Sequence, residues 1–147
     1  MSTRVDFYLL KSPRLDGKLH LVCRLADKAF RLGNRVYIQT TDHNDAQQLD
    51  SLLWTFAQGS FVPHTVLAGD TEGLDAFPVV IGAEPPPAIF NDVLVSLTSE
   101  APTYFSRFKR VVEAVADDEN DRIMARERFR YYRDQGAQLE THDITGQ

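Results

Sequence analysis

Cysteine is almost absent from this 147-residue chain. The single Cys23 excludes an internal disulfide and any metal site built from several thiols, and it suits a reducing cytoplasm. Long apolar runs are missing as well. Phe7-Tyr8-Leu9-Leu10 is as long as they get, against the ~20 residues of a membrane-spanning helix. The opening Met1-Ser2-Thr3-Arg4-Val5-Asp6 carries an acid where a signal peptide would begin its apolar core, so secretion is not expected. Positive charge is missing from the middle of the chain. All 16 Lys and Arg fall within residues 4–35 and 107–133, while residues 36–106 hold acids only. With a net charge of −5, a surface that grips a nucleic-acid backbone throughout is not expected. Hydrophobic residues at 43% and charged residues at 25% exclude disordered, collagenous and coiled-coil chains.

Catalytic and nucleotide-binding signatures are also lacking. The turn after the first strand contains Gly17-Lys18 without the earlier glycine or the following hydroxyl of a phosphate-binding loop, and no GxGxxG follows a strand. No serine sits in a G-x-S-x-G elbow, and Cys23 falls on the apolar side of a helix, as a core residue would. His20, His43, His64 and His142 show no metal-ligand spacing. His43 beside Asp42 and Asp45 reads more simply as a solvated helix start. No cofactor, metal or catalytic constellation is therefore expected.

What is present is a strand–helix alternation. Residues 4–10 read as a strand, and apolar residues from Leu19 to Phe30 recur at helical spacing up to Gly33-Asn34. Residues 35–40 form a second strand, and a helix runs from about Asp45 through Phe56 with Thr41, Asp42 or Asn44 as cap. Residues 57–77 read as irregular, 78–82, 92–97 and 111–115 as strands, and 102–108 as a short helix or turn. A helix over Asp118–Gln135 ends at Gly136. The pattern predicts one α/β domain over 1–147, an open and mostly parallel sheet with flanking helices, with 137–147 loosely ordered.

Two constellations carry the functional reading. Trp54, the only tryptophan, is followed by Phe56 and Phe61-Val62-Pro63-His64 in the cation-free stretch. Composition alone favours core for these rings, yet an aromatic in an irregular segment also suits a protein interface. The C-terminal helix places Arg122, Arg126, Phe129, Arg130 and Arg133 within a stripe about 100° wide. Met124 and Tyr131 lie opposite and are expected to face the sheet, which leaves Phe129 exposed among arginines. Arg forks bind carboxylates in pairs and a neighbouring ring accepts an apolar side chain, so an acidic peptide is favoured over single-stranded nucleic acid.

These same residues resemble a known family, the chi subunit of bacterial DNA polymerase III holoenzyme. The resemblance rests on Asp6-Phe7-Tyr8-Leu9-Leu10, Leu53-Trp54, Ser60-Phe61-Val62-Pro63-His64, Leu67-Ala68-Gly69 and Ala125-Arg126-Glu127-Arg128-Phe129-Arg130, in order along nearly the whole chain. It implies a Rossmann-like fold without a nucleotide site and a non-catalytic, cytoplasmic adaptor at the replication fork. Such an adaptor pairs with the psi subunit of the clamp loader and holds the acidic, Phe-terminated tail of single-stranded DNA-binding protein. By resemblance the tail site is Val115, Arg122, Arg126, Phe129 and Arg130. The psi surface is Trp54, Phe61, Val62, Pro63 and His64, which a helicase can use instead in some members. Phe129 stands where a family member has tyrosine, and Arg122 and Arg130 replace lysines. Nothing carries over to residues 71–91. The reading from another class is a small α/β enzyme or nucleotide-binding protein.

Overall fold

The computed structural model describes residues 2–11, 17–57, 61–67, 69 and 72–144. Strand β1, Arg4–Leu10, leads to helix α1, Gly17–Arg31, whose Leu21, Val22, Cys23, Ala26 and Ala29 are buried at helical spacing. Strand β2 is Val36–Gln39 and helix α2 is His43–Thr55. The Asp42 carboxylate caps α2 by accepting from the Asp45 amide at 2.8 Å, which accounts for the acids around His43 as a helix start. Strands β3 (His64–Val66), β4 (Val79–Gly82), β5 (Val93–Ser96) and β6 (Arg110–Val115) follow. Helix α3, Glu119–Asp134, is capped by Asp118, which accepts from the Asp121 amide at 3.0 Å. At its other end Gly136 adopts φ +86°, a left-handed turn that only glycine takes without strain. The chain then enters β7, Gln138–Ile144.

The strands form one sheet in the order β3-β4-β2-β5-β6-β1-β7, and every pairing among the described residues is parallel. Alternate side chains divide the core into two layers. Leu10, Val36, Ile38, Val112 and Ala114 pack under α1 and α2, whereas Val5, Phe7, Tyr37, Val111 and Val115 pack under α3 and the loops bearing Phe90, Phe105 and Phe108.

Two expectations are corrected. His64–Val66 lies within a segment read as irregular, but it pairs with β4 at the sheet edge. Three residues, two of them polar, carry no alternation to reveal that. Residues 138–144, expected to be loose, form the opposite edge strand through seven register positions with β1. Its sequence Gln-Leu-Glu-Thr-His-Asp-Ile is too polar to announce a strand. Main-chain pairing holds it, together with His142, which stacks on Tyr8 at 4.6 Å and donates to the Asp6 carboxylate at 3.0 Å. Residues 145–147 lie outside the described part.

Candidate functional site

A cleft of about 570 Å³ opens between α3 and the carboxyl ends of β1 and β6. The sequence-derived residues Val115, Arg122, Arg126, Phe129 and Arg130 all line it, joined by Phe7, Leu9, Leu10, Lys11, Ala125 and Arg133. Each element contributes a different part. Strand β6 ends at Val115, which is buried and forms apolar floor. Helix α3 aligns its arginines at one-turn spacing along the wall. Lys11 faces them from the end of β1 and lies 3.7 Å from Asp143.

The arginines are not equivalent. Arg122 donates to Asp117, and its Nη2 reaches Glu119 at 3.4 Å, so its charge is already engaged; the Asp117 hydrogen bond raises its pKa above the ordinary arginine value. Arg133 lies 3.5 Å from Asp134. Arg126 and Arg130 have no ion-pair partner among the described residues and are exposed. Asp117 is the one acid in a lining that carries five cations, so the cleft favours an anionic occupant.

Phe129 departs from its expected setting. It is half-buried against Phe7, with ring centroids 5.4 Å apart, rather than exposed among arginines. The helix is rotated relative to the expected face: Ala125, Arg128 and Tyr132 are buried, Met124 is 41% exposed and Tyr131 is only partly covered. The cause is Glu113 on β6. Its Oε1 accepts from Arg128 Nε at 2.9 Å and its Oε2 from the Tyr132 hydroxyl at 2.6 Å, which draws a charged residue inward. Burial raises the Glu113 carboxyl above its ordinary value, against the opposing pull of Arg128 and Tyr132. Glu113, Arg128, Phe7 and Lys11 were not among the expected site residues. A glutamate inside Val111-Val112-Glu113-Ala114-Val115 was the visible signal for the first two; the others needed the strand order.

The aromatic constellation sorts into a surface and its support. Trp54 is 55% exposed and Phe61 59%, with ring centroids 5.8 Å apart. Pro63 is partly covered, while Val62 and His64 are buried behind the rings rather than presented outward. The His64 ring lies tilted against Trp54 with centroids 4.8 Å apart, donates from Nδ1 to the Val62 carbonyl at 2.6 Å, and places Nε2 3.0 Å from Asp50 Oδ1.

Other groups bond one another. Doubly wound sheets take ligands where successive crossovers diverge, here between β2 and β5. At that point the Tyr104 hydroxyl donates to Gln39, and Ser96 Oγ lies 3.0 Å from Thr98 Oγ1. Asp6, Glu140 and His142 offer oxygen and nitrogen atoms within 4.8 Å of one another, as a metal site would. However, Asp6 already accepts from Arg4 at 3.0 Å and Arg110 at 2.7 Å, and two guanidiniums there oppose a cation. Burial pushes the Cys23 thiol up to about 12, which removes it as a nucleophile at neutral pH. No helix among the described residues is long and apolar enough to cross a membrane.

The sequence as a whole is similar to known proteins. Residues 1–140 match the family described as DNA polymerase III chi subunit, HolC. The DNA polymerase III subunit chi of Pseudomonas aeruginosa is 41% identical over 142 residues, covering 97% of this chain and 97% of that protein. The subunit of the same name from Escherichia coli is 33% identical over 139 residues, 92% of this chain and 94% of that protein. That of Haemophilus influenzae is 26% identical over 144 residues, 98% and 99% respectively.

Proposed function

The chain belongs to the DNA polymerase III chi subunit family, a non-catalytic accessory of the replication machinery, and from that premise we propose that it is a cytoplasmic adaptor with two protein partners. The cleft along α3 takes the acidic C-terminal tail of single-stranded DNA-binding protein. The Trp54–Phe61 surface takes the psi subunit of the clamp loader, or a helicase in its place. The observation that carries the tail reading is the pairing of two guanidiniums without an ion-pair partner among the described residues, Arg126 and Arg130, with an apolar floor of Phe7, Val115 and Phe129 in one cleft. Arg forks match carboxylates two bonds at a time, and the floor accepts a terminal aromatic ring.

Calorimetry with a short acidic peptide ending in a Phe carboxylate tests the reading, alongside the same peptide lacking that Phe. Binding is expected only with the Phe present. A bare oligonucleotide that bound equally well would favour direct nucleic-acid recognition instead. For the second surface, co-purification of the native chain with psi or a helicase, lost on Trp54→Ala, supports the assignment. Tight nucleotide binding, read as a raised melting temperature, would return the reading to a small α/β nucleotide-binding protein.

A further inference from the structure

We propose that the buried Glu113–Arg128–Tyr132 network is the positioning device of the α3 cleft: it sets the rotation and axial register of α3 on the sheet, and thereby where Arg126 and Arg130 stand relative to the Val115 floor. The inference rests on the reading of the cleft as a carboxylate-peptide site.

None of the three residues lines the cleft. All three are buried, and each polar end is used: Arg128 also donates from Nη1 to the Ser99 carbonyl at 3.2 Å. The inner face of α3 buries Ala125 and the Tyr132 ring, and Phe129 and Tyr131 pack partly against the same layer. Apolar contacts are non-directional, so they hold the helix on the sheet without by themselves fixing its rotation and register. Two side chains one turn apart on α3 grip the two oxygens of a single carboxylate on β6. A slip of one residue would shift the helix by ~1.5 Å and turn it by ~100°, which breaks both bonds together. Residues two positions from Arg128 lie on the other side of the helix, so holding Arg128 inward directs Arg126 and Arg130 outward into the cleft. Stability alone gives no reason for the network, because a buried ion pair is often no more stabilising than apolar residues of the same size. The other positions of β6 that face the α3 layer, Val111 and Val115, are valines. At the first turn, Asp121 Oδ2 accepts from the Ala116 amide at 2.7 Å and from Lys18 at 3.0 Å, which ties that end of α3 to β6 and α1.

The test uses the full chain and the acidic peptide with a Phe carboxylate. The double variant Glu113→Leu/Arg128→Met removes both charges but leaves the buried Tyr132 hydroxyl without its acceptor, so it is expected to fold with a modestly lowered melting temperature, while peptide affinity falls about fivefold or more. Tyr132→Phe keeps the ring and deletes one hydrogen bond, so it folds whatever the double variant does; its affinity is expected to fall about threefold. Wild-type affinity in Tyr132→Phe, or in a folded double variant, overturns the positioning role and leaves the cleft assignment standing. Failure of the unmodified chain to bind the peptide overturns the cleft assignment itself.

Discussion

His64 packs against Trp54 with the ring centroids 4.8 Å apart and the planes tilted by 53°, one side chain almost fully buried and the other more than half exposed. A large aromatic ring is thus held outward by a side chain tied to the Val62 carbonyl and to Asp50. Trp54→Ala is expected to weaken partner binding by about 2 kcal/mol or more while barely moving the melting temperature. His64→Ala should lower both, since it removes the support and opens a gap in the layer behind. Equal unfolding by both variants would mean that the rings serve the fold alone.

Arg126→Ala and Arg130→Ala should each weaken acidic-peptide binding by about tenfold or more, measured by calorimetry. Arg122→Ala should cost less, because Arg122 is already engaged by Asp117 and Glu119. All three effects should shrink as salt rises from 0.15 M toward 1 M, where the Debye length falls from ~8 to ~3 Å. Equal losses at the three positions would show that the intramolecular pairs open on binding.

Acid should release β7. Burial alone would raise the Asp6 carboxyl, but hydrogen bonds from His142, Arg110 and Arg4 outweigh it and hold the group below its ordinary value. The folded chain therefore binds this proton more weakly than the unfolded chain. The stability so gained is complete above the ordinary Asp range near ~4 and is lost as pH falls through the depressed value. Urea midpoints should drop steeply on acidification, and Asp6→Asn should flatten that limb. An Asp6→Asn curve parallel to wild type would place the acid sensitivity elsewhere.

Cys23 should resist thiol reagents in the native chain and react promptly in urea, because it is buried and its thiol is pushed up to about 12. Native labelling as fast as in urea would contradict the packing of α1.

Most of this architecture was legible because its signals were local. Residues 7–10 and 79–81 are apolar runs next to strand breakers, and Asp42 and Asp118 stand where helix caps stand. What escaped depended on pairing across the chain. Gln138–Ile144 is a strand only because β1 offers it an edge, and no periodicity in its own residues says so. The five tail-site residues could be gathered from helix spacing and resemblance, but Phe7 and Lys11 came to the same cleft through the adjacency of β1 and β6. The helical wheel aims Met124 inward because it lies opposite the arginine stripe, whereas Arg128 is the residue drawn in. A single glutamate on β6 reversed that preference.

The strand order sets the distance between the two proposed docking surfaces. His64, behind Trp54, lies on β3 at one edge of the sheet, whereas the α3 cleft opens beside β1, five strand steps away. At ~4.8 Å per step this is on the order of 24 Å of continuous hydrogen-bonded sheet. The two surfaces have no side chain in common, so on the two-partner proposal each occupant is expected to bind with the same affinity whether or not the other is present. On that proposal the sheet is a fixed spacer, and grip on one partner need not be relaxed to take hold of the second.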